Sequence, residues 1–295
     1  MANKILFIVN PTSEMFNGKN IESVISGFAA DYKFKWEVYY TEKYNSELNI
    51  RKKIQNFLPG LVIAAGGDGT INQVASSIIG SNIEMGIIPA GSANGLAYNL
   101  DIPSDFEEAL HLALTAEANP LDAIQLNENN YCFHLSDVGI NARIVKRFER
   151  EGSKGLAGYG KQMLKELFSK QSAFSFRINT QQRNKKYRAE MLVIANARCF
   201  GTGAVINPPG HPDDGEFEIV IIRPYPWWIL FYLIRMFLFG KIEKLKYIDI
   251  IKAEKAGISF DKPHDMQTDG EILKGIESLQ VRIIPSALKV RYKKI

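Results

Sequence analysis

Residues 61–79 read LVIAAGGDGTINQVASSII, an order of residue types that predicts a β-strand, a glycine turn and an α-helix. The apolar run at 61–65 has the length and the β-branched residues of a buried strand, and helical character begins at Ile71. Between them lies Gly66-Gly67-Asp68-Gly69-Thr70. Glycines can take positive φ and let the backbone approach an anion, and a helix N-terminus presents unpaired N–H groups. The stretch therefore predicts a phosphate-binding turn.

Asp68 is the unusual residue of this turn, because a carboxylate repels phosphate. A cation between the two, such as Mg²⁺ on a nucleotide, reconciles them. The alternative is a plain tight turn, in which Asp68 makes an Asx hydrogen bond and Thr70 caps the helix.

Outward from this turn, strand-like and helix-like segments alternate through residues 1–122. We predict strands at 5–9, 35–40, 61–65 and 85–88, and helices at 21–30, 48–57, 71–79 and 105–115, the last of them capped by Ser104. Such alternation predicts a Rossmann-like α/β domain, with a parallel sheet between helices and a ligand site at the carboxyl ends of the strands.

Beyond residue 122, strand-like runs follow one another directly. They lie at 123–126, 131–135, 174–179, 186–196, 217–222, 247–252, 257–260 and 279–284, with helical interruptions near 156–168 and 227–239. This order predicts a second domain over residues 123–295, an all-β antiparallel sandwich. We expect the two domains to meet across a cleft.

Composition restricts the class of protein. The chain has 295 residues, 46% of them hydrophobic, and a formal net charge of +4 without any run of five like charges. This is an ordinary globular composition, and it does not favour nucleic acid as a partner. Cys132 and Cys199 are the only cysteines, and the first residues lack the apolar core of a signal peptide. Both features indicate a cytoplasmic protein.

Two further turns follow predicted strands of the first domain. Asn10-Pro11-Thr12-Ser13 comes after the first strand, and Pro89-Ala90-Gly91-Ser92-Ala93-Asn94 comes after the fourth. Since parallel strands end at one edge of a sheet, these turns and the glycine turn should meet there and surround a triphosphate.

These turns, with Asn72 and the second-domain motifs Asp213-Asp214-Gly215 and Asp269-Gly270-Glu271, are the motifs of a known family. The chain resembles lipid kinases of the bacterial type with a diacylglycerol kinase catalytic domain, a family that includes sphingosine and ceramide kinases. The resemblance extends over nearly the whole chain in order. It implies that ATP binds between an α/β lobe and a β-sandwich lobe, and that its γ-phosphoryl group is transferred to a lipid hydroxyl.

The resemblance also implies roles for individual residues. The ATP site would comprise Asn10, Pro11, Thr12, Ser13, Thr41, Gly66, Gly67, Asp68, Gly69, Thr70, Asn72, Ser92 and Asn94. Asp68 would act through Mg²⁺, and Asp269 and Glu271 would supply the base that accepts the proton of the lipid hydroxyl. Without the resemblance, Asp269-Gly270 is better explained as a hairpin turn.

Similar bacterial lipid kinases bind a structural Mg²⁺ in the loop that corresponds to Pro208–Glu216. The resemblance implies that the side chain of Asp214 is the main ligand here, together with the main-chain oxygens of His211 and Glu216, and Asp213 is a further candidate. Clustered oxygen donors suit a hard divalent ion. A hairpin turn remains the alternative.

The segment 227–239 is almost continuously apolar but shorter than the roughly 20 residues that cross a bilayer, so we expect no membrane span. It either packs against the sandwich or lies on a membrane surface, where Trp227, Trp228 and the lysines that follow would suit lipid headgroups. A kinase of membrane lipids needs such peripheral contact at the inner membrane face. A homodimer remains open.

Three positions depart from the family pattern, namely Gln73, Gly95 and Asn141. The turn Gly91–Asn94 with Gly95 is closer to the sphingosine and ceramide kinase branch, and the acceptor lipid therefore stays open. Two other functions remain as alternatives: an NAD kinase, which shares the Gly-Gly-Asp-Gly turn, and a non-catalytic nucleotide or lipid sensor.

Overall fold

The structure, a computed structural model, describes residues 4–16, 20–42, 46–139, 173–200, 203, 205–226, 228–229 and 246–294. Its contacts divide the chain into two units. Unit 1 comprises Met1–Leu121 and Ser286–Ile295, and unit 2 comprises Asp122–Pro285. The sequence prediction assigned residues 286–295 to the second domain, whereas here they return to unit 1.

Unit 1 contains a parallel sheet with the strand order β4-β3-β1-β2. Its strands are β1 (Lys4–Val9), β2 (Lys35–Tyr40), β3 (Leu61–Gly66) and β4 (Glu84–Pro89). Every residue of β3 and five of the six residues of β1 are buried, because these strands are central and apolar. The end of a late strand, β14 (Glu271–Arg291), pairs in parallel with β4 and explains why the last residues belong to this unit.

In the described part of unit 1, one 3₁₀ turn and three helices connect these strands, and two further helices follow β4. They are the 3₁₀ turn Glu14–Phe16, α1 (Ile21–Tyr32), α2 (Ser46–Phe57), α3 (Asp68–Ile78), α4 (Gly95–Asn99) and α5 (Phe106–Thr115). The predicted Ser104 cap of α5 is wrong by one residue. Asp105 is the N-cap, and its Oδ1 accepts hydrogen bonds from the N–H groups of Glu107 and Glu108, both at 3.0 Å.

Unit 2 is built from antiparallel strands in the order β12-β11-β10-β7-β13-β14. The strands of this part of the chain are β5 (Ala118–Leu126), β6 (Asn130–Cys132), β7 (Leu135–Gly139), β8 (Phe174–Asn179), β9 (Asn184–Ala189), β10 (Met191–Ala195), β11 (Phe217–Ile222), β12 (Ile248–Ala253) and β13 (Lys255–Thr268). β8 and β9 branch from β13, and β5 and β6 branch from β14.

One apolar core receives side chains from all of these strands, including Phe176, Leu192, Phe217 and Met266. The alternating burial of β8 reflects its single core-facing side, whereas all residues of β10 and β11 are buried. A parallel α/β unit followed by an antiparallel β unit confirms the predicted fold class.

The predicted helices at 156–168 and 227–239 lie outside the described residues, as does Asn141. Among the helices that the structure describes, none has the length and apolar character needed to span a membrane.

Candidate active site

The glycine turn is a tight junction between β3 and α3. β3 ends at Gly66, Gly67 is the N-cap residue, and α3 begins at Asp68. The first hydrogen bond of the helix runs from Ile71 N to Gly67 O at 3.0 Å. Because the N–H groups of the first helical turn lack acceptors within the helix, this junction can hold a phosphate group. Thr70 lies inside the helix and does not cap it.

Close approach, rather than an unusual backbone conformation, explains the glycines. Gly67 has φ −86° and ψ −176°, an extended conformation that any residue adopts, so the expected positive φ is wrong. A Cβ atom on Gly91 would lie 2.5 Å from Gly67 Cα, and one on Gly66 would lie 2.6 Å from Thr70 Cβ. Glycine at position 91 lets the turns after β3 and β4 touch, and glycine at position 66 leaves room for the Thr70 side chain within one turn.

The turn after β4 is shaped by Asn94. Its backbone is left-handed, with φ 51°, and its side chain closes the turn. Asn94 Oδ1 accepts a hydrogen bond from Gly91 N at 2.7 Å, and Asn94 Nδ2 donates one to Gly91 O at 2.8 Å. The carboxylate of Asp68 connects this region to the glycine turn, because Asp68 Oδ1 accepts a hydrogen bond from Leu96 N at 3.3 Å.

The turn after β1 lies at the same edge of the sheet. Asn10 N donates to Ala65 O at 2.9 Å, and Thr41 N donates to Val9 O at 2.8 Å, so the strand ends are in register. Asn10 Oδ1 accepts hydrogen bonds from Thr12 N at 3.1 Å and Thr12 Oγ1 at 2.8 Å. The strand ends of β1, β2, β3 and β4 therefore assemble the turns that were predicted to bind ATP.

The remaining predicted nucleotide contacts differ in exposure. Pro11, Thr12 and Ser92 are exposed, whereas Ser13 is buried. Asn72 lies further along α3, where its Oδ1 accepts a hydrogen bond from Ser76 Oγ at 3.2 Å.

In unit 2, Asp269 and Gly270 form the two-residue loop between β13 and β14. Both have positive φ, 43° and 92°, as a tight hairpin turn of the primed type requires. The hairpin interpretation is therefore confirmed, whereas the catalytic role of Asp269 stays a prediction.

The Asp269 carboxylate is almost fully buried, with 5% of the residue exposed. Its Oδ2 accepts a hydrogen bond from Phe133 N at 2.7 Å, and its Oδ1 accepts from His134 N and Leu135 N, both at 3.2 Å. The Cys132 thiol donates to Oδ1 at 3.4 Å. Burial, followed by the charge of Asp269, raises the pKa of this thiol well above its ordinary value.

A buried polar network that the sequence analysis missed lies beside this hairpin. Ser136 Oγ donates to Gln267 O at 2.7 Å and lies 2.7 Å from Thr268 Oγ1. The Gln267 amide, oriented to satisfy its neighbours, donates to Asp137 Oδ1 at 2.9 Å and accepts from Gly270 N at 2.6 Å. In the sequence, this network could have been inferred from the neighbouring polar residues 136 and 137 within a short, otherwise apolar strand. Glu271 is the exposed first residue of β14.

The loop that was predicted to hold a structural metal contacts the ammonium group of a lysine. Lys252 Nζ lies 3.4 Å from Asp214 Oδ2, 3.3 Å from Glu216 Oε2 and 3.4 Å from Glu218 Oε1. Among the described residues, no group of three or more His, Cys, Asp or Glu is arranged to hold a metal ion. His211 is exposed and Asp213 half-buried in the same loop. A metal held by the Asp214 side chain and the main-chain oxygens of His211 and Glu216 stays a prediction.

Comparison with known proteins gives two family matches. The diacylglycerol kinase catalytic domain family matches residues 4–126, and the YegS C-terminal NAD kinase beta sandwich-like domain family matches residues 136–292. Lipid kinase YegS of Escherichia coli (strain K12) is 28% identical over 277 residues, which cover 90% of this chain and 87% of that protein. The "Probable lipid kinase YegS-like" protein of Klebsiella pneumoniae (strain 342) is 28% identical over 236 residues, with coverages of 78% and 77%.

A solved diacylglycerol kinase structure from Bacillus anthracis str. Sterne has a TM-score of 0.79 and 19% sequence identity, and the match covers 99% of this chain and 98% of that one. At this identity the likeness shows the fold alone. The two family matches together account for nearly all of the chain, and the second of them spans more than half of it. The chain therefore belongs to the family of YegS-type lipid kinases with a diacylglycerol kinase catalytic domain, enzymes that phosphorylate an alcohol group.

Proposed function

We propose that this kinase uses ATP and phosphorylates the hydroxyl group of a diacylglycerol- or sphingoid-type lipid. The observation that carries the proposal is the assembly of the turns at one sheet edge, where Gly67 and Gly91 touch and the first turn of α3 is open to an anion. An extended triphosphate needs several such N–H donors in one place, since positioning and charge stabilisation are most of what a phosphoryl transferase contributes.

Asp68 is the proposed anchor of Mg²⁺ on the nucleotide. It lies in the first turn of α3, half-buried, and the hydrogen bond from Leu96 N fixes one of its oxygens. A carboxylate among phosphate-binding N–H groups fits a hard cation with oxygen ligands. When bound, the ion would neutralise charge on the phosphates, while the N–H groups of the helix orient them.

In unit 2, Asp269 and Glu271 are the proposed carboxylates for the proton step. The lipid hydroxyl would form a bond to the γ-phosphorus and lose its proton to a carboxylate, while the bond to the ADP oxygen breaks. The two residues should differ in a measurable way. Asp269 has both oxygens occupied by backbone N–H donors, whereas Glu271 is an exposed residue at the start of a strand.

The central experiment incubates the purified chain with γ-labelled ATP, Mg²⁺ and detergent micelles that carry one acceptor lipid at a time. We expect labelled lipid with a diacylglycerol or a sphingoid base, and little label with Asp68→Asn, which retains the size of the side chain. Gly27→Ala, at an exposed site on α1, is the matched control and should keep full activity. If no acceptor yields label above the Asp68→Asn level, lipid phosphorylation is refuted.

Asp269→Asn and Glu271→Gln separate the two carboxylates. Asparagine suits the turn geometry but places an NH₂ group against backbone N–H donors. We therefore expect Asp269→Asn to lower the free energy of unfolding by about 1–3 kcal/mol as well as the turnover. Glu271→Gln should lower turnover at unchanged melting temperature if it takes the proton. Unchanged turnover in both variants would place the base elsewhere.

NAD kinase activity is the second candidate, because the C-terminal half of the chain matches a domain family described as NAD kinase-like. The same assay with NAD as the acceptor distinguishes NAD kinase activity from lipid kinase activity, because only an NAD kinase forms NADP. A sensor would bind ATP in calorimetry but transfer its phosphoryl group to no acceptor. Gln73 and Gly95 depart from the family pattern, and for this reason the experiment includes the test for a non-catalytic sensor.

A lipid acceptor remains in the bilayer, so we also propose that the protein acts at the cytoplasmic membrane surface. Co-sedimentation with vesicles of anionic lipid, against vesicles of neutral lipid, tests this contact. Equal absence of the protein from both pellets contradicts it. Light scattering of the same preparation gives the oligomeric state.

A further inference from the structure

In unit 2, a single ammonium group forms ion pairs with three carboxylates. Lys252 lies on β12, and its Nζ is within 3.4 Å of oxygens of Asp214, Glu216 and Glu218. The last contact follows from strand register, since Glu218 of β11 is paired with Lys252. The other two carboxylates come from the loop that leads into β11. The cluster joins a loop to a sheet through one cation.

Glu218 is the buried carboxylate of this cluster, and its Oε1 contacts Lys252 as an ion pair rather than through a hydrogen bond. Its side chain is 2% exposed, and its second oxygen accepts a hydrogen bond from Asn207 Nδ2 at 2.6 Å. A buried carboxylate without a counter-charge is costly.

Hydrogen bonds with other groups of the protein hold the loop that leads into β11. Asp122 is buried, its Oδ2 accepts a hydrogen bond from Gly215 N at 2.7 Å, and its own N–H donates to Pro212 O at 2.8 Å. Asp214 Oδ1 accepts from Glu216 N at 3.1 Å, and Gly215 has φ 77°. These hydrogen bonds within the protein help to fix the shape of the loop.

We propose that the Lys252 ammonium is the permanent cation of this loop and takes the place of the divalent ion that the family resemblance implies there. A tethered cation is always present at its site, whereas an ion must be bound from solution. The stability of unit 2 then does not depend on divalent metal. This inference is independent of the proposed function, because none of these residues belongs to the proposed nucleotide or proton-transfer groups.

The test compares melting temperatures without nucleotide, in EDTA and in excess MgCl₂. The wild type should melt at the same temperature in both buffers. Lys252→Met, which retains the length of the stem without the charge, should lower the melting temperature in EDTA by about 2–4 °C or more. Partial recovery in MgCl₂ would confirm that the ammonium and a metal ion compete for one place. Lys186→Met is the matched control, because Lys186 pairs with Asp261 at 2.8 Å in an exposed ion pair of the same unit.

Two results would overturn the inference. One is a wild type that gains melting temperature with Mg²⁺ in the absence of nucleotide. The other is a Lys252→Met variant that melts like Lys186→Met in both buffers. If Lys252→Met does not fold, Mn²⁺ binding to the wild type is measured by electron paramagnetic resonance. The inference expects no bound Mn²⁺ without nucleotide, and one bound ion that Asp214→Asn removes would refute it.

Discussion

Substitution of Gly91 by alanine adds one methyl group where the two turns that we propose to bind the nucleotide touch. The new Cβ would lie 2.5 Å from Gly67 Cα and 2.9 Å from Asn94 Oδ1. Carbon atoms pack best at about 3.5–4.0 Å, so one turn must move by roughly 1 Å. Because Gly67 Cα belongs to the backbone, rotation of a side chain cannot relieve the clash.

The size of the effect follows from that displacement. Overpacking of a close-packed region costs about 1–3 kcal/mol, which corresponds to a decrease in melting temperature of about 2–12 °C. The displaced turn should also bind ATP more weakly, by about ten-fold for each 1.4 kcal/mol that is lost at the site. Differential scanning fluorimetry measures the first quantity and titration calorimetry with ATP the second.

Two glycine variants of the same unit calibrate the result. Gly27→Ala on α1 has nothing within 4 Å of its new Cβ, and alanine is the better helix former by about 0.5–1 kcal/mol, so its melting temperature should not fall. Gly67→Ala should be intermediate, since its Cβ would lie 3.2 Å from Gly91 Cα. If Gly91→Ala melts and binds ATP like the wild type, the proposed contact between the turns is wrong.

Three further predictions, two on substitutions and one on labelling of the unchanged protein, test other contacts. Arg291→Met removes hydrogen bonds from Arg291 Nε to Glu84 at 2.6 Å and from Nη1 to Leu114 O at 2.8 Å, so urea denaturation should show a loss of about 1.5–3 kcal/mol. A loss below that of an ordinary surface substitution would mean that these bonds contribute nothing. Asn94→Ala removes both hydrogen bonds to Gly91 and leaves alanine at φ 51°, so calorimetry should show weaker ATP binding, and wild-type affinity would contradict this. Cys132 should resist Ellman's reagent in the native protein and react only after unfolding in urea, because its thiol is buried and its pKa is raised. Rapid native labelling of Cys132, identified by mass spectrometry, would contradict the burial.

Much of unit 1 could be predicted because its signals are local. The strands at 35–40 and 61–65 agree with β2 and β3 to within one residue. The second is an apolar run with β-branched residues, and the first is rich in aromatic residues, which are also common in strands. Errors occurred where neighbouring residues compete for one role. Ser104 and Asp105 can both cap a helix, and the structure uses Asp105. The short helix α4 was missed, because five residues carry too little periodicity.

Contacts between residues distant in sequence could not be predicted in the same way. The carboxylate of Asp269 meets the N–H groups of residues 133–135, more than 130 residues earlier, and no pattern in either segment specifies the other. The pairing of Lys252 with the loop at 214–216 likewise depends on the register of β11 and β12. A metal site and a lysine ion pair would use the same carboxylates. The sequence alone therefore cannot show which of the two these carboxylates form, because the position of the lysine depends on the tertiary fold.

The hairpin turn and the proposed catalytic role are compatible explanations of Asp269-Gly270. A two-residue turn with positive φ favours Asp before Gly for conformational reasons alone. In this chain the same Asp also accepts three backbone N–H bonds, which hold the segment after β6 against the end of β13. A carboxylate held so firmly has a fixed direction, and a fixed direction is what proton transfer in a preorganised site needs. Loss of activity on mutation of Asp269 alone cannot separate the chemistry from this scaffold. Glu271→Gln adds the second carboxylate to the test, because it leaves the hydrogen bonds of Asp269 with residues 133–135 in place.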